Sequence, residues 1–208
     1  MADKQPGDAA RVWNERYSGA EFIFGTEPNA YLAQQRHLLA PGRRALAVAD
    51  GEGRNSVWLA RLGLRVDAFD ISSVAVEKAK RLARDAGVEV DFRVSDCDTW
   101  HWTPASYDVV AAIFIQFAGP ELRARLFARM AEALKPGGLL ILQGYTPRQL
   151  EFNTGGPGVL ENLYTEELLR TELSTFQILD LRVYEAELHE GLRHVGPSAL
   201  IGMVARKL

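Results

Sequence analysis

Residues 45–60 read Ala45-Leu46-Ala47-Val48-Ala49-Asp50-Gly51-Glu52-Gly53-Arg54-Asn55-Ser56-Val57-Trp58-Leu59-Ala60. An apolar run ends in Gly51-x-Gly53, and a helix-like pattern follows at once. That is a strand, a tight glycine turn and a helix start. Such a turn lets a ligand approach bare backbone near a helix N-terminus, where unpaired N–H groups point outward. Downstream, Arg65-Val66-Asp67-Ala68-Phe69-Asp70 reads as a second strand ending in an acid. A glycine turn with an acid roughly 20 residues on describes a site for a nucleotide-type cofactor held through its ribose.

Working outward, strands and helices alternate. The first strand is expected at about Ala45–Ala49, a helix at Arg54–Leu62 and the second strand at Arg65–Asp70. A helix follows from Ser73, its expected N-cap. Ala75, Ala79, Leu82, Ala83 and Ala86 recur on one face, the spacing of an amphipathic helix. Strands are expected at Glu89–Val94 and Val109–Ile115, the latter apolar throughout as a strand buried on both faces should be. A helix at Glu121–Leu134 stops at Lys135-Pro136-Gly137-Gly138, and a strand follows at Leu139–Leu142. After a loop-rich stretch (145–164) come a short helix at Thr165–Glu172 and two strands. Leu179, Leu181 and Val183 alternate with Asp180 and Arg182, a half-buried strand, and Ala199–Ala205 is apolar. Trp13–Tyr17 and Pro28–Leu39 read as short helices ahead of the core. The fold class expected is α/β: one domain with a Rossmann-like, seven-stranded, mostly parallel sheet, a C-terminal antiparallel hairpin and helices on both faces.

Composition narrows the function. The chain has 208 residues, 47% hydrophobic and 25% charged, with formal net charge −3. That suits one globular domain, and no basic run suggests a nucleic-acid partner. No apolar run approaches a bilayer span. The polar start, Met1 to Asp8, has no signal-peptide character and reads as disordered. The single cysteine, Cys97, excludes an internal disulfide and suits a reducing, cytoplasmic setting. His37, His101, His189 and His194 show no ligand spacing with each other or with Cys97, so no metal is expected.

The order of elements resembles the class I S-adenosylmethionine-dependent methyltransferases, and within them the tellurite-resistance (TehB-like) and thiopurine-methyltransferase-like groups. The residues that carry this are Trp13-Asn14-Glu15-Arg16-Tyr17, Phe24-Gly25-Thr26-Glu27-Pro28-Asn29, and Gly51 through Ala60. Leu134-Lys135-Pro136-Gly137-Gly138, Tyr145-Thr146 and Thr154-Gly155-Gly156-Pro157 continue the match. One departure is plain. The superfamily's first motif runs acid-x-Gly-x-Gly-x-Gly, but Ala47 stands for the acid and Ala49 for the first glycine.

The resemblance implies S-adenosylmethionine as cofactor and S-adenosylhomocysteine as product. Gly51 and Gly53 pass close to the cofactor tail and ribose, and Asp50 is available to replace the missing acid. Asp70 accepts the ribose hydroxyls, and Ile71 covers an adenine face. Asp96 and the backbone of Cys97 meet the adenine edge. Trp13 contacts the cofactor from an N-terminal lid, residues 1–40, that also carries Arg16 and Tyr17. Trp100-His101-Trp102 reads as a packed loop.

Tyr145, Arg148 and Tyr164 lie in an acceptor-side insertion (145–164), which together with the loop His189–His194 sets acceptor choice. Gln116, at a strand's carboxyl edge, reads equally as a cofactor or acceptor contact and as a structural amide. The acceptor expected is a small molecule with a soft nucleophile: a thiol, a selenium or tellurium species, or a halide. A thiol near pKa 8.5 is already partly ionised and needs no strong base. An oxygen or nitrogen acceptor needs one, for which His194, Tyr145 and Glu151 are the candidates. A non-catalytic cofactor-binding module is a further alternative. A nicotinamide oxidoreductase is disfavoured, because Ser56 stands where G-x-G-x-x-G places its third glycine. The chain is expected to act as a monomer or homodimer.

Overall fold

The structure is a computed structural model describing residues 6–208. The expected disorder of Met1 to Asp8 lies largely outside the described residues, and from Pro6 the chain is helical. The elements are α1 (Pro6–Tyr17), α2 (Ala30–Gln34), β1 (Arg44–Val48), α3 (Arg54–Arg61), β2 (Arg65–Asp70), α4 (Ser73–Asp85), β3 (Asp91–Val94), β4 (Tyr107–Ile113), α5 (Pro120–Ala133), β5 (Leu134–Tyr145), α6 (Gln149–Phe152), α7 (Glu166–Glu172), β6 (Phe176–Glu190) and β7 (His194–Lys207). The sheet has seven strands in the order β3-β2-β1-β4-β5-β7-β6. Strands β1 to β5 pair in parallel, and β7 runs antiparallel between β5 and β6.

Strand side chains alternate between two cores. Leu46, Val48, Val110, Ala112, Leu140 and Leu142 face α5 and α7 through Leu126, Phe127, Met130 and Leu169. Ala45, Val109, Ala111, Leu139 and Ile141 face the other side, under Tyr31, Leu32 and Leu59. Burial on both faces is why β1 and β4 read as unbroken apolar runs. The chain order reverses between β1 and β4. At such a switch point the carboxyl ends of parallel strands open a crevice.

Several boundaries differ from expectation. Lys135-Pro136-Gly137-Gly138 ends α5 but lies inside β5, because Tyr107 pairs with Leu134 across an irregularity before Val109 pairs with Leu139. Lys135 fixes this entry by an ion pair to Asp108 at 2.9 Å. Ser72, rather than Ser73, caps α4, accepting from the Ala75 N–H at 3.1 Å. The expected Pro28–Leu39 helix is α2 plus a 3-10 turn over Gln35–Leu38, with Asn29 as the cap. The final strands are far longer than their apolar centres, since β6 and β7 stay paired from Phe176↔Lys207 to Glu190↔His194. Among the described residues no helix is long and apolar enough to cross a membrane.

The turn after β1 is strained at one residue. Ala49 has φ 47°, with Gly51 at 61° and Gly53 at 91°. Ala49 therefore adopts the conformation of the glycine it replaces, with a Cβ that the left-handed region disfavours. Ala49→Gly relieves this against a smaller loss in chain entropy, for a net gain of about 0.5–1 kcal/mol. Thermal denaturation should show a Tm rise of about 1–4 °C. An unchanged or lower Tm would show that the strain is illusory.

Candidate active site

A cavity of about 1000 Å³ opens at the carboxyl ends of β1, β2, β4 and β5. The β1–α3 turn, the ends of β2 and β4, the α1 helix and the β6–β7 hairpin tip all line it.

Asp70 lies at its floor. One carboxylate oxygen accepts from the Gly51 N–H and the other from the Ser72 N–H, each at 2.9 Å. Each oxygen keeps a lone pair for a further donor. Burial pushes its pKa up to about 6, against the two backbone donors and with help from the charge of Glu52. Gly51 has backbone bare enough that an added Cβ would stand 2.8 Å from the Tyr17 hydroxyl. Gly53 does another job: its Cβ would meet Ala79 Cβ at 2.7 Å. It allows α3 to pack on α4 and does not line the cavity. Asp50 is turned into the helix it precedes. Its carboxylate accepts from the Ser56 hydroxyl at 2.5 Å and the Ser56 N–H at 3.3 Å. Burial raises it to about 7 in spite of both bonds. It supplies the missing cap of α3, whose N-cap is Gly53.

Ile71, Asp96 and Cys97 line the neighbouring wall. One oxygen of Asp96 is consumed by Asp98 N–H, Thr99 N–H and the Thr99 hydroxyl. Burial, then the Asp96 and Asp98 charges, push the Cys97 thiol up to about 12, so it is no nucleophile. Trp100 stacks on Phe69 at 4.6 Å and Trp102 donates to the Cys97 carbonyl at 2.8 Å, a packed loop. Trp13, Arg16 and Tyr17 cover the opposite side. Trp13 stacks on Tyr17 at 5.7 Å and Arg16 lies 4.5 Å over the Trp13 ring.

Other expected site residues are held as follows. Gln116 lines the cavity, and its amide donates to the Tyr145 and Asn162 carbonyls and accepts from the Tyr145 N–H. Tyr164 is fully buried beside Phe127, behind the cavity wall. Arg148 pairs with Glu185 and lies over Phe152, outside the cavity lining, and Glu151 is exposed. Tyr145 does line the cavity, with a buried hydroxyl that lacks a partner.

His194 lines the cavity among aromatic rings. Its ring lies 4.5 Å from that of Phe24 and 4.3 Å from that of Phe114, with Tyr145 edge-on at 6.0 Å. Phe114 holds φ 56° to reach this position, strain of the kind concentrated at functional sites. Nδ1 of His194 faces Glu190 Oε2 at 3.8 Å. Burial lowers the imidazole's pKa, Glu190 opposes and Arg54 reinforces the fall. Burial works against the Glu190 carboxylate, yet His194, Arg54 and the Ala30 N–H together hold it down at about 2.

Sequence reasoning missed the supports of this site. Glu52, between the two glycines, accepts from the Ile23 N–H and from Lys78, at 2.7 and 2.6 Å. Lys78 also donates to the Glu21 carbonyl. A buried ion pair thus clamps residues 21–24 over the cofactor turn. Asn29, also buried, donates to Gln143 and Glu190. A charge between motif glycines was the available signal for Glu52; none marked Lys78. Among the described residues no cluster of three or more candidate ligands could hold a metal ion.

Residues 45–138 match the family model described as a methyltransferase domain. The ubiquinone biosynthesis O-methyltransferase of Xanthomonas campestris pv. campestris is 37% identical over 103 residues, covering 49% of this chain and 43% of that protein. The chain spans about half the length of the curated relatives it matches. TehB from Haemophilus influenzae superposes with TM-score 0.70 at 16% identity, over 96% of this chain and 67% of that one. Magnesium protoporphyrin IX methyltransferase (ChlM) from Synechocystis PCC 6803, solved with bound SAH, gives TM-score 0.70 at 17% identity, over 98% and 99%. Domain match and fold make the chain similar to the class I S-adenosylmethionine-dependent methyltransferases, whose cofactor is S-adenosylmethionine. The cavity floor fits that group: bare backbone at Gly51 and an acceptor carboxylate at Asp70.

Two outcomes follow for the protein without ligand. Asp50 has a native pKa of about 7 against about 3.9 unfolded, so the native state binds more protons between these values. Its contribution to stability is present below about pH 4 and lost as pH rises through 7. Asp50→Asn should therefore gain on wild type in melting temperature as pH rises from 5 to 8; a constant difference would refute the buried, raised carboxylate. Glu52→Gln strands Lys78 and should cost about 3–5 kcal/mol in urea denaturation, whereas a loss below 1 kcal/mol would show that the clamp is dispensable.

Proposed function

We propose that this chain transfers a methyl group from S-adenosylmethionine to the ionisable hydroxyl of a small aromatic acceptor, with His194 as general base. The observation that carries this reading is a neutral, buried imidazole backed by a carboxylate on the wall of the cofactor cavity. Its surroundings, Phe24, Phe114 and Tyr145, are aromatic and suit a flat apolar acceptor. The likeness to an O-methyltransferase of ubiquinone biosynthesis supports an oxygen acceptor.

When bound, S-adenosylmethionine supplies an electrophilic methyl carbon on a sulfonium. In this reading Asp70 holds the ribose and Gly51 admits the tail. With Nδ1 directed at Glu190, the opposite edge of the ring offers Nε2 to the acceptor hydroxyl. As the hydroxyl oxygen attacked the methyl carbon, the carbon–sulfur bond would break, S-adenosylhomocysteine would leave with the bonding pair, and the hydroxyl proton would pass to Nε2 of His194. The imidazolium that results donates Nδ1–H to Glu190, which is already ionised. Residues 21–30, held by Glu52 and Glu190, exclude water, which strengthens these charge interactions.

A thiol, selenol or halide acceptor needs no base and leaves His194 idle. One variant separates the two readings. His194→Gln should lower kcat toward a phenolic acceptor by about 10²–10⁴-fold and leave S-adenosylhomocysteine affinity unchanged in calorimetry. The wild-type rate should rise with pH through a midpoint below the ordinary imidazole value and then level off. Full activity of His194→Gln, with thiols as the preferred acceptors across a substrate panel, would return the soft-acceptor reading. Asp70→Ala should abolish S-adenosylhomocysteine binding; retained affinity would remove the ribose role.

A further inference from the structure

Four elements converge on a single carboxylate. Glu190, near the tip of the β6–β7 hairpin, has Oε1 facing the Asn29 side-chain amide and the Ala30 N–H, both at 3.0 Å. Oε2 faces Arg54 Nη1 at 2.8 Å and His194 Nδ1 at 3.8 Å. Arg54 is itself buried, opens α3 directly after Gly53, and donates from the same nitrogen to the Phe24 carbonyl at 3.2 Å. The charged and titratable groups facing the imidazole are thus Glu190 from β6, Arg54 from α3 and Tyr145 from β5.

The 3.8 Å gap matters. A carboxylate bonded to an imidazole at hydrogen-bond distance favours the protonated ring and makes it a poor base at neutral pH. Here the oxygen that would do so is already bonded to a guanidinium. Arg54 draws the carboxylate toward α3 and cancels part of its charge.

We propose that Arg54 is a positioning residue for the base: by sharing Glu190 Oε2 with His194, it keeps the imidazole unprotonated and able to accept the acceptor's proton. Because Arg54 is the first helical residue after the cofactor turn, the same contact ties the base to the element that holds the cofactor. This rests on the catalytic reading of His194 given above. The shift of the His194 pKa, lowered by burial and by Arg54 and opposed by Glu190, is the observable consequence.

The test is an NMR titration of histidine-labelled full-length protein, with the His194 signal assigned by its loss in His194→Gln. In Arg54→Gln the His194 midpoint should move up, by roughly a tenfold gain in proton affinity. Glu190→Gln should move it down. Arg54→Lys, which keeps the charge, should remain near wild type and guards against a fold-wide effect, as do unchanged signals from His37, His101 and His189. An unmoved midpoint in folded Arg54→Gln, or movement of both Gln variants in one direction, would overturn the proposal. If Arg54→Gln does not fold, Arg54→Met supplies the uncharged variant under the same criteria. The acid limb of kcat/KM reports separately on the base. If the NMR midpoint moves and the limb does not, the Arg54 coupling stands and the catalytic role of His194 falls.

Discussion

Everything at the cofactor end of this molecule depends on the reversal of the chain between β1 and α3. The turn must bring bare backbone to the cavity wall while β1 stays buried on both faces. That demands positive φ at Ala49, Gly51 and Gly53, and a single carboxylate, Asp70, pins the turn through the Gly51 N–H. A carboxylate so deeply buried is costly to ionise, so its bonds to backbone donors are what keep it usable. The departure from the family's first motif is absorbed locally. Ala49 takes the glycine's conformation, and Asp50, itself in the cavity lining, caps α3 through Ser56.

From this turn two buried charged groups reach outward and fix the roof. Glu52, inside the turn, binds Lys78 of α4 and the backbone of residues 23 and 24. Arg54, one residue past the turn, binds Glu190 at the hairpin tip. Glu190 in turn holds the start of α2. The hairpin tip touches the same strap through the Leu192 N–H and the Ile23 carbonyl at 2.7 Å, and Gly191 permits that approach because a Cβ there would lie 2.4 Å from Gly25. Segments from opposite ends of the chain are thereby locked over one cavity. Ion pairs of this kind add little net stability when complete, but removing one partner leaves an unpaired charge in a dry interior. Their effect is to specify one arrangement of the roof.

The other end of the cavity follows a different logic. Phe24, Phe114, Tyr145 and His194 pack ring against ring there, and the Tyr145 hydroxyl is buried without a partner. A polar group in such an aromatic setting orients a ligand strongly, because it is costly to leave unpaired. Gln116 and Tyr164 brace the strand ends here, Gln116 from within the cavity lining and Tyr164 from the buried core behind it. Gly144 leaves room for both, since a Cβ there would meet Gln116 at 2.7 Å and Tyr164 at 2.8 Å.

The sequence by itself determined the alternation of strands and helices, the parallel core, the antiparallel ending, the glycine turn and Asp70. These follow from local spacing: period-2 and helical burial patterns, and glycines where φ must be positive. It also singled out Tyr145 and His194, both of which line the cavity. Only the tertiary structure decided which polar side chains face the cavity and which are consumed elsewhere. Asp50 and Gln116 both line the cavity, yet folding also engages them elsewhere, Asp50 with Ser56 and Gln116 with Tyr145 and Asn162. The pairs Glu52–Lys78 and Arg54–Glu190 join residues far apart in the chain. Such pairings arise from the crossing of strands and the packing of helices, and no local pattern encodes them.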